Sequence, residues 1–257
     1  HSIEVKIMSD SDSLHLTYVE GRSDTVLFAI GAILAALYGL GSLIPISVFI
    51  GATASISLTL VLAPLFGILL GPWKGSFFGL VGGVIVFIIG GSGGLFQVIP
   101  ILILAPAISG LLTGLCATPY VRGRWIPATG LTAAYFYAII ILYEIVNYQA
   151  WWFMLYYGIA LVAALLIQLT GTELDIGDMS KRGILTLVPF VIIGTITDFS
   201  MMTLSAVYFL QVPAAAFGFV IFPLMLFERT IAIVVSTIVT MAVVKAFPQI
   251  WIKRANQ

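Results

Sequence analysis

Between residues 24 and 247, apolar stretches long enough to cross a membrane follow one another with only short breaks. That succession constrains the fold more than any motif does. A membrane helix needs about 20 predominantly apolar residues to cross ~30 Å of hydrocarbon. In lipid, each backbone polar group must also be satisfied within its own segment. A membrane β-barrel would show weaker segments of about 10 alternating residues, and the sequence has no such pattern. Charged residues make up only 9% of the chain, against roughly 25% in a soluble domain that must hydrate its whole surface. The 257 residues therefore predict one all-α, polytopic bundle in the cell membrane, not several globular domains.

Eight membrane segments are read, at about 25–44, 50–71, 76–91, 96–118, 127–147, 151–170, 184–207 and 214–246. Their breaks carry turn chemistry: Gly71-Pro72-Trp73-Lys74-Gly75, then Gly90-Gly91-Ser92-Gly93-Gly94, then Arg122-Gly123-Arg124 ahead of Pro127. The longest polar connection is 171–181, and Pro213 precedes the eighth segment. Lys74, Arg122, Arg124, Lys181 and Arg182 fall in alternate loops, while Lys6, Arg22, Lys245, Lys253 and Arg254 lie toward the two ends of the chain. The remaining loops hold no lysine or arginine. Under the positive-inside rule the basic loops and both termini are cytoplasmic. This leaves 1–23 as a polar N-terminal tail, 24–247 as the bundle and 248–257 as a cytoplasmic C-terminal tail. The first 23 residues lack the apolar core of a signal peptide, and Met8 reads as a natural start with 1–7 a remnant ahead of it.

Several chemistries lack their parts. Both histidines, His1 and His15, precede the first segment, which argues against haem or zinc held by imidazole within the bundle. Cys116 is the single cysteine, so neither an internal disulfide nor a cysteine-based metal cluster is available. No HExxH or P-loop pattern occurs. A Ser-His or Cys-His nucleophile would find no histidine in the bundle. Lys245 stands at the cytoplasmic end of the last helix, the wrong depth for a retinal Schiff base. The formal net charge of zero gives no case for nucleic acid. The chain reads as non-enzymatic and free of cofactors.

Charge inside a bilayer costs roughly 2.5–3.5 kcal/mol per residue on insertion scales and usually marks a partner or a cavity. Glu144, Asp198, Glu228 and Arg229 are so placed. Segments 7 and 8 run antiparallel, so Asp198 and Arg229 are expected to form an ion pair with Glu228 on an adjacent face. That pair serves the fold, a ligand or a proton relay. Gly31, Ala35 and Gly39, flanked by Ala32 and Ala36, make a small-residue stripe for close helix approach, within this bundle or onto another subunit. The outside loops are rich in rings and amides, among them Asn147, Trp151 and Gln211, read as an interfacial belt or as ligand contacts. An internal echo relates Leu62-Ala63-Pro64, Gly67 and Gly71 to Leu104-Ala105-Pro106, Gly110 and Gly114, either by chance or as two parallel helix pairs.

The stretch 63–83 holds Pro64, Gly67, Gly71, Pro72 and Gly75 in a P-x-x-G-x-x-x-G-P-x-x-G pattern that passes into a glycine-rich helix. It resembles the substrate-binding (S) components of energy-coupling factor (ECF) transporters. The first-segment stripe, and Asp198, Pro213 and Glu228-Arg229 near the end, are similar to theirs. Such components have six helices and eight are read here, which places segment 5 or 6 in the surplus pair. The resemblance implies a vitamin-like small-molecule uptake component that works with a membrane coupling subunit and two ATPases. It further implies docking through Gly31, Ala32, Ala35, Ala36 and Gly39. Substrate would sit in the outer half beneath the loop 42–55, among Glu144, Asn147, Trp151, Asp198, Gln211 and Arg229. Two other readings stay open: a non-enzymatic subunit or scaffold of a larger complex, and a secondary transporter.

Overall fold

The computed structural model describes residues 24–48, 55–118, 128–172, 174 and 180–246. It is a helical bundle. Among the described residues, five stretches are long and apolar enough to cross a membrane: Thr59–Ile89, Pro100–Ala117, Thr129–Thr170, Lys181–Tyr208 and Ala214–Ala246. A shorter apolar helix, Thr25–Gly41, accompanies them. The tails, Arg122, Arg124 and residues 49–54 lie outside the described residues.

We number the principal helices α1 (Asp24–Gly41), α2 (Thr59–Ile89), α3 (Ala105–Ala117), α4 (Ala128–Asn147), α5 (Leu155–Thr170), α6 (Lys181–Tyr208) and α7 (Phe222–Ala246). A two-stranded antiparallel ribbon, β1 (Pro45–Val48) and β2 (Ser55–Ser57), joins α1 to α2. The segment expected as helix from residue 50 thus begins at Thr59. Ser55-Ile56-Ser57 alternates polar and apolar with strand period, and the Ser57 hydroxyl bonds sideways to Thr59 and Ser92. Serine hydroxyls that find such local partners compete with helix formation.

Gly71 divides α2. Its φ of 78° and ψ of −177° leave the helix, and Pro72 restarts it. Gly75 then lies against Phe66 O and Gly67 Cα, at 2.5 and 3.2 Å from an ideal Cβ. A continuous helix would hold residues 66 and 75 about 13 Å apart, so the chain folds back at one residue. The five-residue break expected from the sequence closes to this single hinge. The segment expected at 96–118 is also broken. Ile99 precedes a proline and leaves the helical region (φ −129°, ψ 81°), Pro100–Leu104 is a 3-10 turn, and α3 starts at Ala105 with Pro106 in its first turn.

Glycines set the spacing of this half of the bundle. Gly67 meets Gly110 and Gly114, while Gly79 and Gly83 approach the backbone of Pro106 and Ile103. The sequence echo is therefore a parallel packing, with the first arm of α2 and α3 meeting through their matching glycines. On the other side, Gly31 and Gly39 of α1 seat Phe78 and Ile85 of α2, and Ala35 is buried between them.

The central element is α6. Ser109 donates to Gly194 O at 2.8 Å, Tyr135 bonds Ser200 at 2.5 Å and Tyr157 bonds Thr203 at 2.6 Å. The pair α4 and α5 folds back across a 3-10 turn, Tyr148–Met154, and Thr129 at its far end bonds Gln168. Ahead of α7 runs a π-helical turn, Phe217–Ile221, just before Pro223, which has no N–H to continue the regular ladder.

Gly110→Ala would put a Cβ 2.6 Å from the Gly75 backbone, whereas a Cβ at Gly158 meets nothing within 4 Å. We expect Gly110→Ala to destabilise by about 1–3 kcal/mol through overpacking. Gly158→Ala should be neutral or stabilising by up to about 1 kcal/mol from helix propensity. Melting in detergent distinguishes them, and equal shifts for both would contradict this packing.

Candidate functional site

Beneath the ribbon, five stretches of chain converge on a small enclosed cavity. The first arm of α2 brings Thr59, α1 brings Tyr38, β2 brings Ser57, the turn after α2 brings Ser92, and α6 and α7 bring Asp198 and Arg229. Apolar walls come from Phe96, Leu102, Phe199 and Met202. Internal space is about 20 Å³, room for roughly one water molecule.

The polar groups are held in a defined order. Tyr38 donates its hydroxyl to Asp198 Oδ1 at 3.3 Å. Ser57 bridges to Thr59 at 2.7 Å and to Ser92 at 3.1 Å. Ser92 is one of two non-glycine residues with positive φ among the described residues, at 55°, and its N–H donates to Ser42 O at 2.8 Å. This bond ties the turn to the end of α1.

Arg229 is 1% exposed, the largest fully buried side chain in the described residues. Its guanidinium lies over the Phe199 ring, with Cζ 4.1 Å from the centroid, and Nη1 donates to Thr195 O at 3.3 Å. Nε has no hydrogen-bond partner. A desolvated cation gains from an aromatic face, yet a donor left over inside a bundle is costly. The arrangement can therefore offer a donor to an acceptor group that enters the cavity, with the Asp198 carboxylate as the opposite pole. Glu228 is also buried but is not among the cavity's lining residues.

The candidate residues of the sequence fall into three places. Asp198 and Arg229 share the cavity. Glu144 and Trp151 line an open, mostly aliphatic groove along α4, α5 and α6. Asn147 and Gln211 line a depression of about 410 Å³ where the turn after α4 meets the turn after α6. There Asn147 donates to Val212 O at 3.5 Å, and Gln211 adopts a positive φ of 51°. Of the small-residue stripe, Gly31, Ala35 and Gly39 face α2, and Ala32 and Ala36 face outward. Sequence reasoning missed Tyr38, Ser57, Thr59 and Ser92. Only Tyr38 gave a usable signal, as the one phenol in the otherwise apolar α1.

Among the described residues, no group of three or more His, Cys, Asp and Glu could hold a metal ion. Comparison of the chain with family models, curated proteins and solved structures finds no match.

Arg229→Leu leaves Asp198 and Glu228 as buried acids without this cation, a change that typically costs 3–5 kcal/mol. Tyr38→Phe removes one hydrogen bond, worth about 1 kcal/mol. Denaturation in detergent should rank Arg229→Leu well below Tyr38→Phe in stability, and similar midpoints would argue against a buried polar centre.

Proposed function

We propose that this chain is a membrane-embedded binding and uptake component for a small, vitamin-like molecule, similar to the S components of ECF transporters. The carrying observation is the cavity beneath the ribbon, where Asp198, Arg229, Tyr38 and the hydroxyls of Ser57, Thr59 and Ser92 converge. A bundle has little reason to assemble two opposite charges and four hydroxyls at one spot in lipid unless a polar guest or a fold-fixing network needs them. The second strand of the ribbon, through Ser57, and the turn at Ser92 both line the cavity. Substrate would enter once they part, because about 20 Å³ admits no metabolite. In the loaded state Arg229 and Asp198 would grip opposite poles of the ligand, while in the empty state Asp198 holds Tyr38 and Arg229 holds Thr195 O. Ala32 and Ala36, exposed four residues apart on α1, suit close docking of a separate coupling subunit, which would bring the two ATPases.

The same tightness favours a second reading. A polar centre with space for one water also serves a non-enzymatic subunit of a larger complex, in which Asp198 and Arg229 act for the fold alone.

Ligand response separates the two readings. An uptake component gains RT ln(1 + [L]/Kd), about 2.7 kcal/mol at a hundredfold excess over Kd. A vitamin panel should contain a compound that raises the melting point of the wild type, and Asp198→Asn should abolish the rise while the protein still folds. A flat panel, with no retained metabolite in native mass spectrometry, would favour the scaffold. Uptake into liposomes by the chain alone would instead make it a secondary transporter.

We further propose eight passes with both termini in the cytoplasm. The fold-backs at Gly71 and at 148–154 each split a long span in two, in keeping with that number. Cys116 is buried, so a Cys116→Ala background should label little. In that background a cysteine at Lys74 or Lys181 should react with an impermeant maleimide only from the cytoplasmic side, and one at Gln211 only from outside. Any of these labelled from the opposite side would refute the topology.

A further inference from the structure

A groove between α4, α5 and α6 holds about 1230 Å³ of space. Its walls are bulky and branched: Leu155, Ile159, Val162, Leu166, Leu185 and Ile192. Along this apolar stretch the smallest residues are Gly158 and Ala163, and a Cβ added at Gly158 would meet open space. Helices that dock onto one another in a membrane use small residues to bring backbones close, as α1, α2 and α3 do here. This groove lacks that chemistry. Its shape suits flexible hydrocarbon instead.

One end is polar in a particular way. Arg182 is the groove's cation, and Thr170, Thr172 and Thr186 line the groove with it. Arg182 is exposed and Lys181 is its neighbour at the start of α6. From Arg182 to Ile192 the α6 wall advances ten positions, about 15 Å at 1.5 Å per residue. That is half of the ~30 Å hydrocarbon thickness, the depth of one leaflet.

We infer that this groove is a binding site for one anionic phospholipid of the cytoplasmic leaflet, its phosphate on Arg182 and an acyl chain laid along α5 and α6 past Gly158. The site is separate from the cavity under the ribbon. It does not rest on the uptake reading, and uses only the assignment of the Arg182 end to the cytoplasmic side, which the labelling experiment tests by itself.

The test is native mass spectrometry after extraction from vesicles of phosphatidylcholine with a minority of phosphatidylglycerol. The wild type should retain one phosphatidylglycerol, enriched about fivefold over the vesicle ratio, the order expected for one basic residue at an anionic headgroup. Arg182→Gln should return the retained lipid to the vesicle ratio, and Arg182→Lys should keep the enrichment. Gly158→Leu, which fills the floor of the groove, should lower retention of both lipids. Melting in detergent checks that each variant is folded. Retention at the vesicle ratio in the wild type, enrichment that survives Arg182→Gln, or retention unchanged by Gly158→Leu would overturn the site. So would a photoreactive residue at Val162 that crosslinks to another membrane protein in place of lipid.

Discussion

The close approach of backbones through glycine holds this molecule together. In a bilayer there is no hydrophobic drive to press one apolar helix against another, so packing contacts must supply the association. Gly67, Gly75, Gly79, Gly83, Gly110 and Gly114 let the two arms of α2 and the helix α3 come within backbone contact. The cavity depends on that contact. Thr59 and Leu60 start the first arm, and Leu102 and Ala105 lead into α3, so both walls stand where the glycines put them. Without these glycines, Tyr38 and Asp198 would have no shared enclosure.

The two halves of the bundle solve the packing problem differently. Around α2 and α3 the interface is backbone against backbone. Around α4, α5 and α6 it is made by hydroxyls and rings: Tyr135 with Ser200, Tyr157 with Thr203, Tyr156 with Thr230, and the aromatic cluster of Tyr143, Phe153 and Phe217. Tyrosine can fill volume and still satisfy its hydroxyl, which suits helices held further apart.

Much of the helical architecture was legible in the sequence, because a run of apolar residues near 20 long admits few alternatives in lipid. Breaks at Gly71 and after Asn147 were legible as well, since glycine, proline and amides punctuate apolar runs. The ribbon was not, because Ile, Ala, Thr and Ser between 45 and 57 read equally as membrane helix by hydropathy. Of the site, Asp198 and Arg229 stood out by charge alone. Glu144, Asn147, Trp151 and Gln211 were grouped with them by depth. Depth along an axis cannot tell which way a side chain points around it, and the structure sets these four in two other places. Ser57, Thr59 and Ser92 carried no signal, since isolated hydroxyls are common in apolar helices and turns.

The hinge at Gly71 has a consequence for the bilayer itself. The arm of α2 from 59 to 70 has twelve residues, about 18 Å at 1.5 Å per residue. That falls some 12 Å short of a ~30 Å hydrocarbon layer. The ribbon above it must therefore hang inside the oily slab, where open strand edges are tolerated only when wrapped in protein. Alternatively, the bilayer thins to meet it. In that case the molecule carries a dimple of thinned membrane over its polar centre, and a solute on the ribbon side stands closer to Asp198 than the full leaflet would allow.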